Sequence, residues 1–103
     1  MTLGEKQRKF TLMVATLVAW AYDNDYELTF GDAYRDKRTT YGHPESLHRK
    51  RLAIDLNLFK NGKYLVKTDD HKPLGEYWES IGGTWGGRFN DGNHYFLEHG
   101  GIK

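Results

Sequence analysis

Two imidazoles and one carboxylate, His48, Asp55 and His94, carry the most specific chemical signal in the chain. Cysteine is absent, so any metal must be held by histidine and carboxylate side chains. A catalytic zinc takes typically three such ligands and keeps a further position open for water. Asp55 and His94 fall on predicted strands, which hold ligands more rigidly than loops do, and His48 lies just before the first of them. Asp91 stands three residues before His94, with Gly92 and Asn93 between them favouring a turn. Zinc lowers the pKa of a water to about 7, and a neighbouring carboxylate can then take the proton and later deliver it to a leaving amine. Asp91 is predicted to do this.

The elements that must position these residues follow from hydrophobic period. From Glu5 to Tyr22 the positions Phe10, Met13, Val14, Leu17, Val18 and Ala21 keep helical spacing, and Thr2 with Glu5 predicts a capping box. Tyr26, Leu28 and Phe30 alternate with polar residues, predicting a strand that ends at Gly31. Asp32 to Glu45 reads as a long polar loop, of the kind that carries function in small domains. Leu52, Ile54, Leu56 and Leu58 alternate with Ala53, Asp55 and Asn57, which predicts a strand turning Asp55 away from the main core. Asn61-Gly62 is a hairpin signal, with Tyr64 to Val66 as the returning strand. Pro73 suits the start of a second helix, carrying Leu74, Tyr77, Trp78 and Ile81 on one face and ending at Gly82. The glycine-rich stretch from Gly82 to Gly87 reads as loop, and His94 to Glu98 as a last strand with His94 and Phe96 on one face.

A length of 103 residues fits one domain spanning the whole chain. Aromatics make up 15%, so Trp20, Tyr77, Trp78, Trp85 and Phe89 are expected to supply much of the buried apolar area. The longest apolar run, Leu12 to Ala21, is too short to span a bilayer, and no small-residue cleavage pattern follows it. The net charge is +1, yet Arg35, Lys37, Arg38, Arg49, Lys50 and Arg51 concentrate positive charge mid-chain, which favours an anionic partner.

The order of these residues resembles a known signature. Ser46-Leu47-His48-Arg49-Lys50-Arg51-Leu52-Ala53-Ile54-Asp55 looks like its Ser, His, Ala and Asp at fixed offsets, and Asp91-Gly92-Asn93-His94 like the acidic residue and final His that complete it. Tyr34-Arg35 and Trp85-Gly86-Gly87-Arg88-Phe89 are similar to further elements, so the resemblance runs from about Phe30 to Phe96. The signature is that of zinc D-alanyl-D-alanine carboxypeptidases and dipeptidases, a family that includes phage L-alanyl-D-glutamate endolysins and shares the fold of the hedgehog signalling domain. Arg51 departs from it, standing where the family usually has glycine, and Asp91 stands where many members have Glu.

The resemblance implies an α+β fold in which a small antiparallel sheet packs helices on one face and carries the zinc site on the other. It implies His48, Asp55 and His94 as zinc ligands, Asp91 as the catalytic acid-base, Arg35 as stabiliser of the oxyanion or binder of a substrate carboxylate, and Ser46 as a substrate-holding residue. His43, His71 and His99 match no motif position. The expected activity is zinc-dependent hydrolysis of a stem-peptide amide bond in bacterial peptidoglycan, L-alanyl-D-glutamate first. A D-alanyl-D-alanine carboxypeptidase or dipeptidase remains an alternative. So do a metal-dependent nuclease, whose motif order fits less well, and a zinc-binding module without hydrolysis, against which Asp91 argues. The expected protein is a monomer with no membrane span and no nucleic-acid partner. It is made in the host cytoplasm without a clear signal peptide and acts at the wall after release.

Overall fold

The computed structural model describes residues 1–32 and 47–99. It is an α+β arrangement in which helices α1 (Leu3–Asp23) and α2 (Lys72–Ser80) accompany five short strands, β1 (Tyr26–Phe30), β2 (Ala53–Lys60), β3 (Lys63–Leu65), β4 (Thr84–Trp85) and β5 (His94–Phe96). The strands form one antiparallel sheet in the order β1-β2-β5-β4, with β3 also pairing with β2. Single 3₁₀ turns, Leu47–Lys50, Thr68–His71 and Gly86–Phe89, link these elements.

The capping box predicted for α1 is present: the Thr2 hydroxyl accepts from the Glu5 amide at 3.2 Å, and the Glu5 carboxylate accepts from the Thr2 amide at 3.0 Å. Its buried face carries Phe10, Met13, Leu17 and Ala21. The β2–β3 hairpin turns through Asn61 and Gly62 at φ of 53° and 75°, the two left-handed residues that match the twist of paired strands. Along β2, Ile54, Leu56 and Leu58 are buried with Tyr95 in a core shared with α1 and α2, while Asp55 and Asn57 alternate to the other face. Phe10 and Tyr95 meet the Trp78 ring edge-on at centroid separations of 5.7 and 6.1 Å.

Two expectations are corrected. The stretch from Gly82 to Gly87 is not all loop, because Thr84–Trp85 pairs with β5 and Gly86 begins a 3₁₀ turn. Within it only Gly82 has a positive φ, 105°. The other glycines serve close approach instead: a Cβ on Gly83 would collide with the Trp78 indole, and one on Gly87 with that of Trp85, as would one on Gly75. Phe89, expected in the core, is 47% exposed, whereas Trp78 and Trp85 are buried. Trp20 is half-buried and stacks on Tyr77 at 4.8 Å.

His71 lies in the core at 2% exposure, its Nδ1 2.8 Å from the Tyr95 hydroxyl. Burial pulls its pKa down from 6.5 to about 4, against a smaller opposing pull from Asp70. Between these values the unfolded chain binds the proton that the folded one refuses, so stability is full above about pH 6.5 and is lost as pH falls toward 4. The shift corresponds to about 3 kcal/mol. Urea unfolding at pH 7 and pH 5 should show the wild type losing stability and His71→Gln losing much less. Parallel losses in both proteins would reject His71 as the cause.

Candidate metal centre

Asp55 and His94 face each other across β2 and β5. Inter-strand bonds fall on the flanking pairs, with the Leu97 amide donating to the Leu52 carbonyl and the Leu56 amide to the Asn93 carbonyl, each at 2.9 Å. Both backbone groups of Asp55 turn instead toward the β1 side, where its amide donates to the Asp32 carbonyl at 2.8 Å and its carbonyl accepts from the Gly31 amide at 2.7 Å. Asp55 and His94 are therefore a non-hydrogen-bonded pair, the kind whose side chains approach most closely. His48 arrives from the 3₁₀ turn Leu47–Lys50, which α1 holds through a bond from the Gln7 side-chain amide to the Lys50 carbonyl at 2.9 Å.

The three side chains converge. The Asp55 Oδ1 lies 3.4 Å from His48 Nε2 and 3.2 Å from His94 Nδ1, and the ligand atoms of all three lie within 4.8 Å of one another. Tetrahedral zinc with bonds of about 2.0–2.2 Å separates its donors by about 3.4 Å, so both Asp55 separations suit such an ion. His48 and His94 are 1% and 7% exposed, and Asp55 is partly buried. Burial would raise the Asp55 carboxyl, but hydrogen bonds and charge from both imidazoles overcome it and hold the pKa down to about 2. A carboxylate that stays ionised between two imidazole nitrogens is a donor set able to hold a divalent metal.

Close backbone packing fixes the approach to His94. Gly86 lies so near that a Cβ there would strike the Asp91 carbonyl and the His94 Cβ. The Trp85 indole donates to the Gly92 carbonyl at 2.8 Å, and the His94 amide to the Asp91 carbonyl at 3.1 Å. Asp91 is thus one turn from His94, exposed and outside the convergent group. It lines a cavity of about 200 Å³ with Asn57, Tyr64 and His71. Arg35, Ser46 and His43 lie outside the described residues. His71 bonds to Tyr95, and His99 Nδ1 sits 3.2 Å from Lys6 Nζ, so neither joins the group.

Sequence reasoning missed the backbone role of position 51. Arg51 has a φ of 56°, with its amide bonded to the His48 carbonyl and the Leu52 amide to the Leu47 carbonyl. These are the paired bonds that close a helical turn through a left-handed residue, the place glycine usually fills. The glycine usual at this point of the signature is accounted for by conformation, and the exposed Arg51 adopts the same shape at a steric cost. Positive φ at Asn90, 63°, likewise ends the 3₁₀ turn before Asp91.

A family model described as D-alanyl-D-alanine carboxypeptidase matches residues 39–97, a span that contains His48, Asp55, Asp91 and His94. No curated protein matches the chain.

Arg51→Gly is expected to raise the unfolding free energy by about 0.5–1 kcal/mol, relief of the left-handed strain exceeding the extra backbone freedom of glycine when unfolded. Thermal melts would register this as a rise of a few degrees. A lower melting temperature would show that contacts of the arginine side chain outweigh the strain.

Proposed function

The chain belongs to the D-alanyl-D-alanine carboxypeptidase family, and from that premise we propose that it is a zinc-dependent peptidase of the bacterial cell wall. It hydrolyses an amide bond of the peptidoglycan stem peptide, with L-alanyl-D-glutamate as the first candidate. The observation that carries this reading is the convergence of buried His48 and His94 on the ionised carboxylate of Asp55.

His48, Asp55 and His94 would hold the ion. Zinc bound there supplies a Lewis acid for the scissile carbonyl and a water acidic enough to lose its proton near pH 7. Asp91 takes that proton and returns it to the leaving amine nitrogen, a role worth typically about 10²–10⁴ in rate. Its place one turn from His94, in a cavity able to receive part of the substrate, supports the assignment. Arg35 follows by three residues Asp32, whose carbonyl accepts from the Asp55 amide. Its permanent charge suits the developing oxyanion, where one donor contributes about 3 kcal/mol, or a substrate carboxylate. Ser46 precedes the His48 turn and holds substrate.

Preference for the L-alanyl-D-glutamate bond rests on likeness to phage lysis enzymes, as does action at the wall after release from the producing cell. The description of the matching family model favours a second reading, removal of the terminal D-alanine. Mass spectrometry of digested peptidoglycan separates the two: newly exposed D-glutamate amino termini mark the first, and released D-alanine the second. Intact stem peptides alongside cleaved plain DNA or RNA would defeat both.

Point variants divide the roles further. His48→Ala should lose bound zinc in elemental analysis, whereas Asp91→Ala should keep zinc and lose turnover by at least about 100-fold. Arg35→Ala should slow hydrolysis with zinc retained. Wild-type turnover in Asp91→Ala would remove that carboxylate from the mechanism.

A further inference from the structure

Beside the cavity that contains Asp91 lies a larger one of about 390 Å³. Thr68 and Asn90 line both, so the two cavities adjoin. The larger cavity is basic, with Lys67, Lys72 and Arg88 in its lining against a single carboxylate, Asp69. Arg88 is held by Glu79, with Nη2 2.6 Å from Oε1 and Nε 3.3 Å from Oε2. Asp70, the neighbouring acid, accepts from the Lys67 backbone amide at 3.1 Å. Lys67 and Lys72 are exposed, and among the described residues neither forms an ion pair. Two uncommitted ammonium groups beside a fixed guanidinium suit an anion that needs charge more than bidentate geometry.

We propose that this cavity is a subsite for a free carboxylate of the substrate, carried by the part of the peptide that extends past Asp91. The inference rests on the peptidase reading above and deepens it: the preferred substrate is an acidic stem peptide, and its amidated form is disfavoured. Arg35 is not required for this recognition, because Lys67 stands on the connection before α2, Lys72 opens that helix and Arg88 lies on the turn before Asn90. Solvent exposure makes the attraction sensitive to salt.

The test is equilibrium binding to the zinc-loaded protein of an uncleavable stem peptide, its L-alanyl-D-glutamate amide reduced to CH₂–NH. Its carboxylates are either free or amidated. Wild type should bind the free form about five- to tenfold more tightly at low salt and lose most of that preference near 0.5 M salt. Lys67→Gln/Lys72→Gln should bind both forms alike, with affinity for the amidated form unchanged. Equal wild-type binding of the two forms, or an undiminished preference in the double variant, overturns the subsite. If the double variant does not fold, the preference of the wild type and its salt dependence decide. Hydrolysis of the ordinary peptide is scored separately: cleavage without a carboxylate preference defeats the subsite alone, and absence of cleavage defeats the peptidase reading.

Discussion

The register between β2 and β5 is the constraint on which the site depends. Side chains along a strand alternate faces, so a slip of one residue would send His94 into the core and bring Tyr95 to the face that carries Asp55. The observed pairing sets Asp55 opposite His94 in the closer of the two antiparallel geometries. Its support comes from both sides: the Leu52–Leu97 and Leu56–Asn93 bonds lock β5, and Gly31 with Asp32 locks the opposite edge of β2. The apolar alternation of Ile54, Leu56 and Leu58 adds a thermodynamic reason, since only one register buries that face.

Electrostatics at the cluster then follow from position. A carboxylate withdrawn from water would ordinarily be raised in pKa, yet two imidazoles at 3.2 and 3.4 Å reverse the sign. The same arrangement makes each partner dependent on the others, because a buried charge stripped of its compensating group is strongly destabilising. The turn that brings His48 to this pair is closed by a left-handed Arg51, so local strain sits within three residues of a proposed ligand.

Much of this was legible in the sequence because it rests on period and short-range chemistry. The α1 face, the Thr2–Glu5 cap, the Asn61-Gly62 hairpin and the outward turn of Asp55 all follow from spacing and turn preference. The triad was readable as residue types in a familiar order, and its convergence required tertiary pairing. What escaped was long-range or conformational. Gly83, Gly86 and Gly87 look like turn punctuation in a string of letters, whereas their bareness admits indole rings and the Asp91–His94 turn. Phe89 keeps no periodic company that would mark it as exposed. The departure at Arg51 reads in the sequence as a bare change of residue type, while its φ places the difference in the backbone.

Trp85 ties these strands of the structure together, and it does so by filling space that two distant glycines leave. Gly75 on α2 and Gly87 after β4 each lie where a methyl group would overlap its indole, and the ring nitrogen still reaches the Gly92 carbonyl. Ring and glycines therefore behave as one heritable unit. A larger residue at either glycine is admissible only after the ring has shrunk, and a shrunken ring first leaves a void costing about 3–5 kcal/mol. The order of substitutions is thereby restricted, so variation among functional descendants of this chain should accumulate elsewhere and reach these three positions, if ever, together.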